Sequence, residues 1–391
     1  MLVFCEMLGY DVVVTGGSVS GLLAAREAAA GGLSVVVLEE DAEIGTPEHC
    51  GGLVSIAGIR DLGLVPDASV VENKSIARAR ILSPTNGFEI SAEKQKVMVL
   101  DRRAFDKQIA FQAQKMGADI KVKCAMRSFV RERQGFRVKT SEGDLVCKYF
   151  IDARGVPSII SRNRKGVLQS AQYEVYAPWI ERDTIEVVFD SQRYPGFFAW
   201  IIPTAQGSGK VGVAGRGINA ADALQSYIDG KGKCSIVRKV YAPIWVNGPM
   251  ENFIPSGAIT VGDAAGQSKP TTAGGIYTCG MGGVLAGRAV AEATKKNDDG
   301  LLERYQKIWL SMFGSEFEKM LLARKLLERL DNKAIDDLFS AVPQDKIAEV
   351  SASGDFDFHS AALAKILGAK TAARMAKAVL GNEIRRLIDG S

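Results

Sequence analysis

The residues best suited to bind a phosphate form a glycine-rich turn, residues 16–21, with the sequence GGSVSG. This turn separates a β-branched run at residues 11–15 from a helical pattern at residues 22–30. Gly16 permits a tight bend and Gly21 lets a helix lie close on a sheet, so that backbone N–H groups at the helix start face a pyrophosphate. The phosphate-binding residues predicted here are Gly16, Ser18, Val19, Ser20 and Gly21.

Two acidic residues close this stretch. A second apolar run, residues 34–38, ends in Glu39 and Glu40. Glu39 follows Gly16 at about the 20-residue separation at which the acid of a dinucleotide site binds a ribose hydroxyl. Ser18 takes the place of the middle glycine of the usual G-x-G-x-x-G pattern, and its small side chain still lets the backbone approach a phosphate. Strand, turn, helix, strand and acid together predict an adenine-dinucleotide site.

A second chemical candidate is the pair His49 and Cys50, in a polar, glycine-rich loop at residues 41–52. A cysteine beside glycines and a histidine can be exposed and easily ionised. The other interpretation is a small buried cysteine in a connecting loop. The loop alone leaves both interpretations open.

Arg102 stands in the first turn of a helix that Asp101 caps and that ends at Gly117. A cation at this end of a helix opposes the helix dipole. The position therefore indicates either contact with an anion or an ordinary solvated arginine, and both remain open at this point.

A third glycine-rich segment follows a buried strand predicted at residues 258–261. Gly262 and Asp263 place a carboxylate where it can bind ribityl hydroxyls, and a long helix is predicted from about residue 272 to residue 295. Bare N–H groups at Gly274, Gly275 and Ile276 would face the N1 and C2=O region of a flavin. The alternative is a helix cap above a glycine-rich packing face.

An aromatic strand is predicted at residues 197–202, closed by Pro203. Alternation places Phe198, Trp200 and Ile202 on one face. Such a face is either plain core or the wall of a cavity for an apolar ligand.

Composition excludes several classes of protein. With 391 residues, 47% of them hydrophobic, the chain can bury a large core, and a net charge of +4 argues against nucleic-acid binding. Six scattered cysteines without a C-x-x-C pair, and two histidines, disfavour a metal site. We predict a reduced, cytoplasmic protein. Basic residues near the C-terminus (Lys370, Arg374 and Lys377) indicate either peripheral contact with an anionic membrane surface or an ordinary solvated face.

Four stretches together resemble a known group of flavoproteins. They are the glycine turn with Glu39, the R-x-x-F-D helix start at residues 102–106, the A-R-G-x-x-S turn at residues 153–158, and the G-D-A-A-G segment at residues 262–266. They are similar to glutathione-reductase-type FAD proteins of the aromatic-hydroxylase group. The resemblance implies FAD as the cofactor.

Within that group the chain most resembles the geranylgeranyl reductase family, notably the archaeal digeranylgeranylglycerophospholipid reductases. Residues 47–51 (PEHCG) match the family's P-x-x-C-G loop beside the flavin, and residues 198–203 (FAWIIP), followed by residues 210–212 (KVG), resemble its stretch along the prenyl cavity. The resemblance implies that Cys50 and His49 act at the flavin edge and that a prenyl chain lies along Phe198, Trp200, Ile202 and Pro203. It adds these cofactor residues: Cys50, Gly51, Leu53, Arg102 and Ala125.

The fold that the resemblance implies is α/β, with a glutathione-reductase-type FAD-binding Rossmann domain, an inserted antiparallel β-sheet substrate domain and a C-terminal helical region. We place the first at residues 1–165 and 250–300, the second at residues 166–249 with parts of 65–95, and the third at residues 301–391. Ile202 and Lys210 depart from the family's usual Phe and Asn.

The implied activity is reduction of the double bonds of geranylgeranyl chains in archaeal membrane-lipid precursors. The implied partners are a prenyl lipid or prenyl diphosphate and an electron donor, which is a ferredoxin, NAD(P)H or a deazaflavin; we expect a monomer. The alternative is a flavin-dependent monooxygenase or halogenase on an aromatic substrate, because F-x-W-x-I-P is one residue from a halogenase stretch.

Overall fold

The computed structural model describes residues 8–160 and 164–367. Lys370, Arg374 and Lys377, on which the prediction of membrane contact rests, lie outside the described residues. Within the two described ranges, no helix combines the length and apolar character needed to cross a bilayer. Among the same residues, no cluster of His, Cys, Asp and Glu side chains is arranged to hold a metal ion.

The strands and helices of the described chain are as follows. The strands are β1 (Leu8–Thr15), β2 (Val35–Leu38), β3 (Leu53–Ser55), β4 (Val71–Asn73), β5 (Arg78–Leu82), β6 (Gly87–Ser91), β7 (Val97–Leu100), β8 (Ala118–Lys121), β9 (Met126–Glu132), β10 (Gly135–Thr140), β11 (Gly143–Asp152), β12 (Val167–Tyr176), β13 (Thr184–Val188), β14 (Ala199–Ala205), β15 (Ser208–Gly215), β16 (Ser235–Trp245) and β17 (Ile259–Thr260). The helices are α1 (Val19–Ala30), α2 (Ile56–Asp61), α3 (Arg102–Lys115), α4 (Val156–Ile160), α5 (Ala220–Lys231), α6 (Ile276–Lys296), α7 (Glu303–Leu327), α8 (Asn332–Ser340), α9 (Gln344–Ser353) and α10 (Ser360–Leu367).

The first sheet has the order β8-β2-β1-β11-β10-β9, with β17 beside β11. β1 is parallel to both β2 and β11, and β8 is parallel to β2. Val12, Val13 and Val14 are fully buried, as expected for a parallel strand covered on both faces. The predicted strand, turn, helix and strand are confirmed, and so is the α/β class.

Helices α1 and α6 pack against one another over the glycine turn. A Cβ atom on Gly283 would lie 2.0 Å from the Ser20 carbonyl oxygen, and one on Gly287 would lie 2.3 Å from that of Ala24. Only glycine allows so close a contact between helices. The small-residue pattern of α6 therefore fixes the helix directly behind the start of α1.

The first turn of α6 differs from the prediction. The helix begins at Ile276 and not at about residue 272. Ala273 has a φ of +53°, in the left-handed region, and such a residue cannot continue a right-handed helix. Gly274 and Gly275 consequently lie in front of the helix, with Gly275 as its N-cap.

The second sheet has the order β16-β12-β15-β14-β13-β5-β6, so the hairpin β5-β6 joins strands that follow it by about a hundred residues. The prediction that Pro203 closes the aromatic strand is wrong, because β14 runs on to Ala205. The register between β14 and β13 ends at Ile201, so the missing N–H of Pro203 leaves no gap in that ladder.

A small third sheet, β3-β7-β4, is formed by three strands that lie between β2 and β8 in the sequence. Helix α7 packs against α6. Tyr305, Trp309, Phe313 and Phe317 recur at helical spacing on α7 and are fully buried in the main core. The segment between α9 and α10 brings Phe356 onto the hydrophobic cluster that Leu53 of β3 also contacts, far from it in sequence.

Candidate active site

The glycine turn has the close packing that a dinucleotide phosphate requires. Gly16 has a φ of +102°, and a Cβ atom there would lie 2.4 Å from the carbonyl oxygen of Ala153. A Cβ atom on Gly21 would lie 2.0 Å from the Gly16 carbonyl oxygen. Ser18 is the exposed N-cap, and in the described chain no side chain caps the start of α1. The first N–H groups of the helix are thus open to an anion.

Glu39 lies beside this turn. Its Oε2 accepts a hydrogen bond of 2.7 Å from the N–H of Gly17, and its Oε1 accepts one of 3.0 Å from Asp41. Burial raises the pKa of Glu39 above its usual value. Two other residues were predicted to contact the cofactor here. Ala125 follows strand β8, which pairs with β2, and the side chain of Glu40 is exposed. The predicted ribose-binding acid therefore meets the predicted phosphate turn.

The third glycine-rich segment, which begins at Gly262, lies beside the glycine turn. Gly262 and Asp263 form a short 3-10 helix after β17, and the Cys279 thiol donates to Oδ1 of Asp263 over 3.5 Å. A Cβ atom on Gly275 would lie 3.6 Å from the same carboxylate oxygen, and one on Gly155 would lie 3.9 Å from the Asp263 side chain. Burial raises the pKa of Asp263. Gly155 of the A-R-G turn, Asp263 and the start of α6 therefore lie close together.

Arg102 connects these groups with the cysteine loop. It is largely buried and forms a two-pronged ion pair with Asp106 of its own helix, at 2.9 and 3.1 Å, so it is not the solvated arginine that the sequence also allowed. Burial opposes its charge, but Asp106 raises the pKa of Arg102 above its usual value, and the Cys50 sulfur lies close enough to the guanidinium to interact with it. Partial desolvation lowers the pKa of His49, and Asp41 partly offsets this.

The loop carrying Cys50 touches the predicted substrate strand. Cys50 is half-buried, and its Sγ accepts a 3.4 Å hydrogen bond from the N–H of Gly52. A Cβ atom on Gly51 would lie 2.4 Å from Cδ1 of Ile202, so the strand side chain rests directly on this glycine. The predicted flavin loop and the predicted prenyl wall are neighbours.

Trp200 and Ile202 are half-buried on one face of β14, and the Trp200 indole N–H donates to Gln172 over 3.2 Å. Phe198 packs against Trp200 with ring centroids 6.1 Å apart, which agrees with the predicted shared face. The side chain of Pro203 lies on the opposite face of the strand. Its backbone carbonyl oxygen accepts a hydrogen bond from the Asn73 side chain.

Phe198 also lines a cavity of about 300 Å³ between the second sheet and the C-terminal helices. Part of the lining is aromatic, and the buried Arg324, which lies over the Phe197 ring, donates to the carbonyl oxygen of Gly196 over 2.8 Å. The cavity is at the lower end of the range for small-molecule sites. The aromatic and aliphatic lining is formed by Phe189, Phe197, Phe198, Leu327, Leu330 and Ile335.

A buried charged cluster beneath Cys50 is not evident from sequence patterns. Lys210 of β15 is fully buried and donates to Glu48 over 2.6 Å and to Glu72 over 2.9 Å. The two carboxylates raise the pKa of Lys210 despite its burial. The signal for this cluster in the sequence was a single lysine at a strand position whose side chain points into the protein. The cluster anchors the loop, two residues before Cys50, to the second sheet.

These contacts satisfy the requirements of an adenine dinucleotide flavin. The positions that a Cβ atom would obstruct line the predicted phosphate turn, Glu39 contacts that turn, and the Asp263 carboxylate faces the start of α6. Gly16, Gly21, Glu39, Asp263 and Gly275 are the residues that would hold such a group.

Comparison with known proteins gives the family. The chain is 32% identical over 368 residues to digeranylgeranylglycerophospholipid reductase 2 of Methanopyrus kandleri, a match covering 86% of this chain and 91% of that protein. The chain belongs to the digeranylgeranylglycerophospholipid reductase family. A second member, reductase 2 of Methanothermobacter thermautotrophicus, is 31% identical over 365 residues, or 88% of this chain and 94% of that protein. No family model matches the sequence.

Solved structures agree with membership of this reductase family. A geranylgeranyl bacteriochlorophyll reductase-like protein of Thermoplasma acidophilum has a TM-score of 0.84 and 26% identity, covering 96% of this chain and all of that one. A flavin-dependent brominase has a TM-score of 0.68 and 18% identity, with 96% of this chain and all of that one covered. The likeness to the brominase concerns the fold alone.

Proposed function

We propose that the chain is an FAD-dependent reductase that hydrogenates the carbon–carbon double bonds of geranylgeranyl chains in isoprenoid lipid precursors. The observation that carries this proposal is the 32% identity to a digeranylgeranylglycerophospholipid reductase along 91% of that protein's length. The contact between Gly51 and Ile202 supports it, because it places an apolar wall against the loop that holds the cysteine.

Bound FAD would supply the hydride that one alkene carbon receives. The N–H groups at the start of α1 would bind its pyrophosphate, Glu39 its ribose and Asp263 its ribityl chain. Gly274, Gly275 and Ile276 would face its ring. Glu39 contacts Gly17 of the turn, and the Asp263 carboxylate lies beside Gly275.

The second alkene carbon needs a proton. Cys50 is our candidate to hold it, as donor or as the residue that positions a water molecule, with His49 as the second candidate. Arg102 lies beside the Cys50 sulfur and would help to hold this side chain in position. No carbonyl group is available to polarise in an isolated alkene, so orientation and exclusion of water must lower the barrier.

The prenyl chain would lie along Phe198, Trp200 and Ile202. Trp200 is held by Gln172, and Phe198 is stacked on Phe197 with centroids 4.1 Å apart, so both rings are fixed in place. A rigid apolar wall aligns a flexible chain without polar contacts. Pro203 lies on the other face of β14. It would therefore affect the position of the prenyl chain only through the path of the strand's backbone.

The remaining parts of the proposal concern partners. We propose a lipid or diphosphate carrier for the prenyl chain, a ferredoxin, NAD(P)H or deazaflavin as electron donor, and a monomeric protein. A lipid substrate also favours peripheral contact with the cell membrane through the basic residues after position 367. Co-sedimentation with anionic vesicles, compared with neutral ones, tests that contact.

Product analysis tests the function. The FAD-loaded protein is supplied with dithionite under anaerobic conditions and with digeranylgeranylglycerophospholipid or geranylgeranyl diphosphate, and products are analysed by mass spectrometry. The proposal predicts a gain of one H₂ per reduced double bond, and comparison of the two substrates identifies the carrier. Unchanged lipid and unchanged diphosphate in the presence of reduced FAD would contradict it.

A further inference from the structure

Lys269 is a buried cation in the loop that leads to α6. Its side chain is almost fully buried, and its backbone N–H donates to the Gly274 carbonyl oxygen over 3.0 Å. A Cβ atom on Gly274 would lie 3.8 Å from the lysine Nζ. The preceding Gln267 bonds to Gly262 and to Tyr305, at 2.7 and 2.8 Å, so the loop is fixed at its base.

A small cavity of about 10 Å³, room for roughly one water molecule, lies at this end of the site. Its lining combines residues that sequence analysis assigned to the flavin with residues that it did not. The first group is Leu53, Gly274, Gly275 and Ile276, and the second includes Lys269, Phe356 and Asp357. Lys269 therefore faces the same space as the predicted ring-binding residues.

Asp357 holds the lysine in this position. The Lys269 Nζ donates to Asp357 Oδ1 over 3.2 Å and to the Phe356 carbonyl oxygen over 3.1 Å, while Ser55 of β3 donates to Asp357 Oδ2. Burial lowers the pKa of Lys269, and Asp357 opposes this, with smaller effects from Asp355 and Glu316. The ion pair links the α6 loop, β3 and the segment before α10.

We propose that Lys269 sets the reduction potential of the flavin, with Asp357 as its positioning residue. This rests on the proposed function insofar as FAD must bind. Reduction adds negative charge to the ring, and a buried ammonium beside the Gly274 to Ile276 end stabilises that charge because solvent screening is weak there. Asp357 moderates the effect by neutralising part of the lysine's field.

The two partners therefore have opposite expected effects on the potential. Lys269→Met removes the cation, and we expect the equilibrium constant for two-electron reduction to fall at least tenfold, about 30 mV. Asp357→Asn leaves the cation without its counter-ion, and we expect that constant to rise. The measurement is slow anaerobic reduction of the FAD-loaded protein in equilibrium with a reference dye.

Two further variants make this test specific. Lys269→Arg keeps the charge and should stay near the wild-type potential, and Lys307→Met removes an exposed lysine paired with Glu303 on α7 and should change nothing. Shifts of the same sign for Lys269→Met and Asp357→Asn, or a change below twofold in either, would overturn the proposal. If Lys269→Met does not retain FAD, the direction in which Asp357→Asn shifts the reduction potential decides: a rise supports the proposal and a fall overturns it. A protein that takes up no FAD would contradict the proposed function instead.

Discussion

Cys50 is the residue on which the proposed chemistry depends most directly. Replacement by alanine removes the thiol but leaves the glycine turn and Asp263 intact. We expect Cys50→Ala to bind FAD in the wild-type ratio and to reduce the alkene about a hundredfold more slowly or worse, the usual loss for a general acid. Flavin absorbance and product mass give the two values.

Cys234 offers a matched control for this variant. It is also half-buried, but it lies between α5 and β16 and packs on the core of the second sheet. Cys234→Ala should keep the wild-type rate. A full rate in Cys50→Ala would remove Cys50 from the chemistry and leave His49 or an ordered water molecule as the proton source.

His359 predicts a pH dependence of stability. Its ring lies between Thr271 and the Phe356 carbonyl oxygen, at 2.6 and 3.2 Å, an arrangement that suits the neutral form. Burial lowers the pKa of His359 from 6.5 to about 3. The unfolded chain takes up a proton below pH 6.5 and the native chain does not, so stability falls as the pH drops from 6.5 toward 3.

We expect this histidine alone to cost about 2 kcal/mol between pH 7 and pH 5. Urea unfolding of the wild type and of His359→Gln at both pH values measures it, since glutamine keeps an acceptor for Thr271 but does not titrate in this range. Equal losses in the two proteins would show that His359 does not contribute.

Single residues were predictable where a local pattern specifies their neighbours. Glu39 meets the glycine turn because strand, turn and helix adjoin in the chain. The partners of Lys210 and Lys269 were not predictable, because Glu48, Glu72 and Asp357 reach them only through tertiary packing. A single buried lysine in an apolar strand indicates that a partner exists without identifying it.

At the scale of elements, the junction of β1 and α1 depends on Gly21. Gly21→Ala would place a methyl group 2.0 Å from the Gly16 carbonyl oxygen, so α1 must move away from the turn. We expect a loss of about 1–3 kcal/mol in unfolding free energy and at least tenfold weaker FAD binding. Gly230→Ala on α5 is the control: its Cβ atom meets nothing within 4 Å, so FAD affinity should stay unchanged. Equal affinity in both variants would contradict the assignment of the turn.

The junction between β15 and the cysteine loop depends on Lys210. Lys210→Met removes the cation that Glu48 and Glu72 share, although Arg103 and Arg238 still lie within 3.5 Å of Glu48, and we expect it to cost about 1.5–3 kcal/mol of unfolding free energy. Adding Glu48→Gln should recover part of the loss. The exposed Lys307→Met should stay within about 0.5 kcal/mol. A loss below about 1 kcal/mol for Lys210→Met in urea unfolding would show that the cluster is not held together by charge.

Most elements were predictable from periodicity, and the exceptions have local causes. Helix α3 begins at Arg102 because the Asp101 side chain accepts from the N–H groups of Arg103 and Ala104, as the capping pattern indicates. The start of α6 was misplaced because the left-handed backbone of Ala273 is not specified by residue type. β14 passes Pro203 because its pairing with β13 ends at Ile201 while its pairing with β15 continues, which only the sheet order reveals.

At the scale of the whole molecule, the proposed reaction requires that the two large sheets meet at the cysteine loop. The contact of Gly51 with Ile202 and the ion pairs of Lys210 join them there. The resemblance to the reductase family predicted that the cysteine loop and the aromatic strand lie close together. The segment between α9 and α10, with Phe356 and Asp357, was outside the motifs of that resemblance. The domain boundaries and the assigned site roles stay predictions.

The most direct measurement of the central claim is a single anaerobic turnover. The FAD-loaded protein is reduced, freed of reductant and mixed with geranylgeranyl lipid, and flavin absorbance is followed while the lipid mass is determined. The account predicts that the flavin reoxidises without oxygen and that one H₂ appears in the lipid per flavin. A flavin that stays reduced until oxygen is admitted would contradict it and favour a monooxygenase or halogenase.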